Sequence, residues 1–371
     1  MEAQVNEEPG TPSVLPDLPL LGFRNYWYPL IESGRVGRRP VSVRVLGEDL
    51  VLFRAGDKVA VLVDRCPHRG TMLSRGRVIF PGTLSCGYHG WTFNAQGECV
   101  AAIVEGPESR LPGQVRVRSY STEERFGIVW AFIGEGEPPP LEEDLPPEAN
   151  DPNMMPQVTF WNWTCDWRNV TENYPDLLHA CLVHRTSWRM FFSPIPVCGG
   201  ILLKPLADNN GLQVRVTYGG IQADYPGLGK FPRHYWWRRK WWRRRAKSSY
   251  NWEGGLGVLM PGYAVVRQGK LKTSMQWPVP VDANHTRVLS FTMIFPKSFI
   301  HRLLLKIWFK TFYRLEQRQF VGQDKRLIES QNYRNPETLS ATDIALIQWR
   351  KIAPKIARQP RLSTPSVSTI H

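Results

Sequence analysis

From Pro40 onward apolar and polar positions alternate, with Val41, Val43 and Val45 on one face and Ser42 and Arg44 on the other. A period of two belongs to a half-buried strand. A Gly47-Glu48-Asp49 turn and the run Val51-Leu52-Phe53 complete a hairpin, and Ala55-Gly56-Asp57-Lys58 turns the chain into Val59 to Val63. Further short strands are expected around Thr92-Phe93 and from Gly127 to Phe132. This part of the chain reads as antiparallel β. The pattern then changes. Between Glu172 and His184, the apolar residues Leu177, Leu178, Leu182 and Val183, with Pro175 near the front and Asn173 in capping position, predict a mostly buried helix. Phe320 to Glu329 is also helical by period.

Composition sets limits on this reading. The chain has 371 residues, 42% hydrophobic and 12% aromatic, which excludes whole-chain disorder and a disulfide-stapled miniprotein. Two domains fit the length. Gly134 to Asn153 carries seven acids, six prolines and no basic residue, and reads as a connector. The expected division is a tail over 1–20, a first domain over 21–133, the connector over 134–153, a second domain over 154–358 and a tail over 359–371. The N-terminus lacks the basic start and apolar core of a secretory signal, so a cytoplasmic protein is expected. Phe299 to Phe312 is interrupted by His301, Arg302, Lys306 and Lys310, and no run is long enough to span a bilayer.

The formal charge of +14 points first to nucleic acid, a membrane surface or an acidic partner. Its placement narrows this. Arg233, Arg238, Arg239, Lys240, Arg243, Arg244, Arg245 and Lys247 fall in one acid-free stretch, interleaved with Trp236, Trp237, Trp241 and Trp242. The segment Tyr235 to Arg245 suits a surface loop of Arg over packed Trp, a peripheral membrane contact, a redox-partner dock or, least of these, single-stranded nucleic acid.

Two segments carry chemistry in the first domain, Cys66-Pro67-His68-Arg69-Gly70 and Cys86-Gly87-Tyr88-His89-Gly90. Each gives one thiolate and one imidazole on a tight loop. Such a set suits zinc, and also a [2Fe-2S] centre with two Cys on one iron and two His on the other. Pro67, Gly70, Gly87 and Gly90 bring backbone N–H groups close to where sulfides would lie, which favours iron and sulfur. Cys99, Cys165, Cys181 and Cys198 match neither segment and read as buried thiols.

The two segments closely resemble the Rieske cluster-binding boxes. Respiratory and photosynthetic Rieske proteins carry an extra Cys in each box, where Thr71 and Tyr88 stand here, so the resemblance is to the oxygenase and ferredoxin branch. In the second domain His179 and His184 are five apart, about 140° around a continuous helix, and converge on one metal only if the helix is distorted or ends between them. Two His and one carboxylate form a facial triad for ferrous iron. The run from Asn173 through Asp176 and His179 to His184 resembles the catalytic motif of the Rieske non-haem iron, aromatic-ring-hydroxylating oxygenases. That resemblance implies that His179 and His184 bind iron and that Asp176 bridges His179 to a cluster histidine, His89, of the neighbouring subunit in a ring-shaped trimer. It also implies that Asn173 is an amide near the iron. The third ligand is expected to be one of three downstream acids. Asp282 reads as a turn residue and Asp343 as part of a helix cap with Ser340, whereas Asp324 lies on a late helix resembling the family's ligand helix.

The segments Leu21 to Pro29 and Gly134 to Pro140 are similar to those of the α-only, carbazole-dioxygenase-like type. The resemblance, over residues 21 to 355, implies an α+β chain: an antiparallel β Rieske domain followed by a helix-grip catalytic domain with an antiparallel sheet. It implies a [2Fe-2S] cluster on Cys66, His68, Cys86 and His89, a mononuclear Fe(II) and a terminal oxygenase that hydroxylates, dihydroxylates or dealkylates a substrate with O2. No dinucleotide fingerprint or plant-type cysteine run is present, so NAD(P)H would act through a separate ferredoxin or reductase. Trp161, Trp163, Trp167, Trp188, Phe191 and Phe192 around the motif fit a bulky lipophilic substrate, though core packing also accounts for them. The rival reading is a non-catalytic Rieske electron-transfer or redox-sensing protein. A third is a metal-free helix-grip binding module.

Overall fold

A computed structural model of the protein describes residues 18–184, 187, 200–206, 210–217, 224–225, 229–230, 256–268, 271–333 and 335–360. The segment Tyr235 to Arg245, together with Trp188, Phe191, Phe192 and Cys198, lies outside them. The chain divides into two units. The first comprises Leu21–Pro147, the hairpin tip Val279–Arg287 and the chain from Arg358. The second comprises the chain up to Leu20, Glu148–Pro278 and Val288–Ala357.

The first unit is built from short antiparallel strands: β1 (Tyr26–Glu32), β2 (Val41–Val45), β3 (Glu48–Ala55), β4 (Lys58–Val63), β5 (Leu84–Ser85), β6 (Trp91–Phe93), β7 (Cys99–Ala102), β8 (Ser119–Tyr120), β9 (Thr122–Arg125) and β10 (Ile128–Ile133). They form three sheets, ordered β1-β10-β9, β2-β3-β4-β8 and β5-β6-β7. The alternation from Val41 buries Val43 and Val45, and Leu50 to Phe53 are fully enclosed. The first hairpin turns one residue earlier than its sequence suggests. Val45 pairs with Glu48, so the two turn residues are Leu46 and Gly47, with φ of 49° and 77°. Positive φ at both positions matches the twist of paired strands. Leu46 is an unusual occupant, held because its side chain is buried and its N–H donates to the Pro280 carbonyl at 2.7 Å.

The acidic stretch folds into two 3₁₀ turns, Leu141–Asp144 and Pro147–Asn150. Asp144 is fully buried, pairs with Arg358 at 2.7 Å and accepts the Trp27 N–H at 2.9 Å. Glu142 pairs with Arg125. Local acidity is thus neutralised by cations distant in sequence.

The second unit is centred on seven strands, β11 (Met155–Trp163), β12 (Gly200–Pro205), β13 (Gly211–Thr217), then, after a small pair β14 (Asp224–Tyr225) and β15 (Gly229–Lys230), β16 (Leu256–Leu259), β17 (Tyr263–Gln268), β18 (Lys272–Asp282) and β19 (His285–Ile294). Their order is β11-β19-β18-β17-β16-β13-β12, and β12 through β18 pair antiparallel. The chain is therefore α+β with antiparallel sheets in both units. The helices are α1 (Trp167–Asn173), α2 (Ala180–Val183), α3 (Phe299–Trp308), α4 (Arg314–Ile328) and α5 (Ile344–Ile356), with a π-helical turn Phe309–Tyr313 between α3 and α4. Val321 and Ile328 of α4 pack with Trp163, Cys165, Val170 and Val288. None of the helices among the described residues is long and apolar enough to cross a membrane.

The motif segment is not one helix. Asp166 caps α1, accepting the Arg168 N–H at 2.9 Å, and Asn173 is the last residue of that helix instead of the cap of the next. Tyr174 closes the helix and Pro175 comes next, where its missing N–H cannot continue the ladder. The chain restarts as the four-residue α2, with His179 at its front and His184 at its end.

Candidate metal centres

In the first unit both Cys/His loops close in the same way. The Cys66 N–H donates to the Thr71 carbonyl and the Gly70 N–H to the Cys66 carbonyl, at 2.8 and 2.9 Å. The Cys86 N–H donates to the Trp91 carbonyl and the Gly90 N–H to the Cys86 carbonyl, at 2.8 and 3.1 Å. Gly70 and Gly90 complete the bends with φ of 73° and 69°. A Cβ on Gly90 would come within 2.7 Å of Ile103 Cβ. Gly90→Ala is therefore expected to cost about 1–3 kcal/mol, read as a lower unfolding midpoint.

The loops bring two thiols and two imidazoles together. The rings of His68 and His89 are 4.7 Å apart, and His68 stacks on Trp91 at 4.5 Å. Burial pushes the Cys66 thiol up to about 11; the His68 N–H pulls it down and neighbouring Cys86 pushes it up again. His89 Nδ1 is buried with no hydrogen-bond partner. Two apposed thiols and an orphaned imidazole nitrogen are costly without a ligand, and their N2S2 chemistry fits a [2Fe-2S] cluster.

In the second unit His179, His184 and Asp324 place their ligand atoms within 4.8 Å of one another. Asp324 Oδ1 lies 3.0 Å from His184 Nε2 and 3.5 Å from His179 Nε2, yet it is buried and accepts no aligned hydrogen bond. The other ring nitrogens are anchored: His184 Nδ1 lies 3.1 Å from Gln323 Oε1, and His179 Nδ1 meets the Asp176 carbonyl. With Nδ1 the donor in each ring, both Nε2 lone pairs face the Asp324 carboxylate. Burial opposes charge on His179 and on Asp324. It lowers His179, but Asp324 and Asp176 outweigh it and hold the imidazole above its ordinary value. It raises Asp324, but the two histidines outweigh it and hold the carboxyl below its own. Two imidazoles and a carboxylate converging without bonding one another fit a divalent metal, with positions left open for other ligands.

Asp176 stands beside this site. Its Oδ1 accepts the N–H groups of Leu178 and His179 at 3.1 and 3.3 Å, and its Oδ2 lies 3.7 Å from His179 Nδ1. The Asp176 side chain is 39% exposed. Asn173 lies half-buried at the end of α1. Asp282 serves its turn, accepting the Asn284 N–H at 2.9 Å, and Asp343 completes a capping box with Ser340. Two neighbours of the site are absent from the sequence reading. Gln323 adjoins Asp324 on α4, and Phe320 stacks on His184 at 3.7 Å. A signal for Gln323 existed in its place next to the carboxylate, but its partner lies 139 residues away.

Residues 26–120 match the Rieske [2Fe-2S] domain, and residues 132–220 match the homotrimeric ring hydroxylase domain. The chain is 35% identical over 208 residues to the terminal oxygenase component of carbazole 1,9a-dioxygenase from a Sphingomonas species, covering 56% of this chain and 53% of that one. It is 32% identical over 167 residues to the vanillate O-demethylase oxygenase subunit of a Pseudomonas species, covering 44% and 46%. These matches span about half the length of the relatives. The solved terminal oxygenase of carbazole 1,9a-dioxygenase from Novosphingobium sp. KA1 superposes with a TM-score of 0.75 at 25% identity, over 93% of this chain and 95% of that one. With a Rieske domain match, a ring hydroxylase domain match and a fold shared along nearly its whole length, the chain is similar to the Rieske non-haem iron oxygenases.

Proposed function

We propose that the protein is a terminal oxygenase component, in which Cys66, His68, Cys86 and His89 hold a [2Fe-2S] cluster and His179, His184 and Asp324 hold a mononuclear Fe(II). The observation that carries this reading is the convergence of those three side chains, behind a domain whose Cys/His loops fit a cluster. When bound, the cluster supplies electrons one at a time and the iron supplies the site at which O2 is activated for insertion into substrate.

The residues of the chain divide the remaining work. The Asp176 carbonyl and Gln323 fix which nitrogen of each histidine faces the ligand site. Asp324 supplies the negative charge that a ferrous ion requires. Asp176 keeps one oxygen on the backbone and presents the other at an exposed edge, where a cluster histidine of an adjoining subunit would be received. This assigns Asp176 a bridging role and makes the working unit a homotrimer, as the description of the matched second domain implies. The relatives named for carbazole dioxygenation and vanillate demethylation support a small aromatic substrate that is hydroxylated, dihydroxylated or dealkylated. Electrons would come from NAD(P)H through a separate ferredoxin or reductase.

Metal analysis tests the proposal. The anaerobically purified protein is expected to hold about three irons per chain, two with sulfide and one without; a value near two would leave the electron-transfer reading and sink the oxygenase one. Reconstitution with a reductase should then give substrate-dependent O2 uptake. Gln323→Leu removes the acceptor for His184 Nδ1–H and is expected to weaken retention of the mononuclear iron about ten-fold, measured by competition with a chelator.

A further inference from the structure

Helix α3 turns its apolar side away from the protein. At about 100° per residue, Phe299, Leu303, Ile307, Ile300 and Leu304 share an arc of about 140°, and all five are exposed, Phe299 by 81% and Ile300 by 70%. Leu305 faces the other way and packs on the cluster of Met155, Ile294, Phe309 and Tyr313. An ordinary surface helix buries its apolar stripe and exposes its polar one. Here no residue of the helix is buried. The patch extends past the helix to Phe312 and Leu315, both exposed, with Trp308 at its edge.

The sequence along this stripe is basic up to Glu316. Residues 297–315 include Lys297, Arg302, Lys306, Lys310 and Arg314 and no acid. Lys306 is exposed on the flank of the stripe, and Arg302 beside it donates to the Asn153 carbonyl at 2.9 Å. We propose that α3 docks the protein onto the surface of an anionic phospholipid bilayer, lying in the headgroup plane without crossing it. The aliphatic and phenyl groups would enter the acyl boundary, the indole of Trp308 would sit at headgroup level, and the cations would meet lipid phosphates. A contact with a second copy of the chain would place this stripe in a protein interface, whose core is depleted of charge. A basic border, with Arg302 and Lys306 on the flank of the stripe, matches a continuous anionic surface better. The proposal does not depend on the metal chemistry.

The test is co-sedimentation of the full-length holoprotein with vesicles of phosphatidylglycerol and phosphatidylcholine, compared with phosphatidylcholine alone. Binding is expected to require the anionic lipid and to weaken as salt is raised. The double variant Leu303→Glu with Ile307→Glu, at exposed positions, should bind about ten-fold more weakly while its melting temperature and light-scattering mass stay those of wild type. Lys306→Gln should lose about five-fold and alters no apolar contact. No binding by the wild type would overturn the proposal. Undiminished binding by the double variant would also do so, assigning any lipid affinity to another segment. So would a changed mass with vesicle binding retained, which would give the stripe to a second copy of the chain.

Discussion

Asp176→Asn is expected to leave both metal centres filled and to lower turnover about 100-fold. The substitution suits the local geometry. Asp176 Oδ1 accepts the N–H groups of Leu178 and His179, and an amide oxygen can accept the same two bonds, so the turn into α2 should persist. What changes is the group beside His179 Nδ1: a carboxylate oxygen at 3.7 Å becomes an NH2. An amide nitrogen has no lone pair to accept a hydrogen bond from either histidine, and it carries no charge to orient His179 or a cluster histidine arriving from an adjoining subunit. The measurement has two parts. Iron per chain and the spectrum of the reduced cluster should match wild type, whereas reoxidation of the prereduced cluster by O2 with substrate present should slow in step with turnover. Normal turnover would refute the bridging role.

The candidate metal sites can be proposed from sequence because most of their signals are local. Cys66 with His68, and Cys86 with His89, lie within four residues of each other, so tight glycine loops suffice to bring each pair together. Asp324 could be chosen because its two rivals have visible local duties, Asp282 in a turn and Asp343 in a cap, and the structure shows both duties. What the sequence left unread depends on distant partners. Leu46 adopts a positive φ that no leucine favours, held by burial and by the Pro280 carbonyl. Gln323 meets a histidine from another element. The break after Asn173 could have been anticipated from Pro175, but a proline in the first turn of one helix and a proline ending another differ only in what precedes them. Likewise, the period of α3 marks an apolar stripe without saying whether it faces inward, since that depends on what the core already holds.

Arg350→Met is expected to destabilise the second unit by about 3–5 kcal/mol, because it strands a buried carboxylate. Arg350 of α5 grips Glu172 of α1 with two bonds of 2.7 Å, and both side chains are 7% exposed. Arg350 also pairs with Glu337, and the guanidinium groups of Arg168 and Arg350 lie over the Tyr333 ring at 3.9 and 5.0 Å. Met fills similar volume, so the loss comes mainly from charge and not from a cavity. The pH dependence separates the two causes. Burial already raises Glu172 above its ordinary value, with Arg350 the chief opposing influence, so removing Arg350 raises it further. A carboxyl raised in the folded state costs nothing below its unfolded value, destabilises progressively as pH climbs from there to its folded value, and costs a constant amount above it. The deficit in urea midpoint against wild type should therefore be smaller at about pH 5 than at about pH 8. An equal deficit at both would mean that packing, not the stranded charge, dominates. Because α1 leads directly into Asp176 and His179, the variant should also retain less mononuclear iron at the higher pH while its cluster content, held by the other unit, stays at the wild-type level.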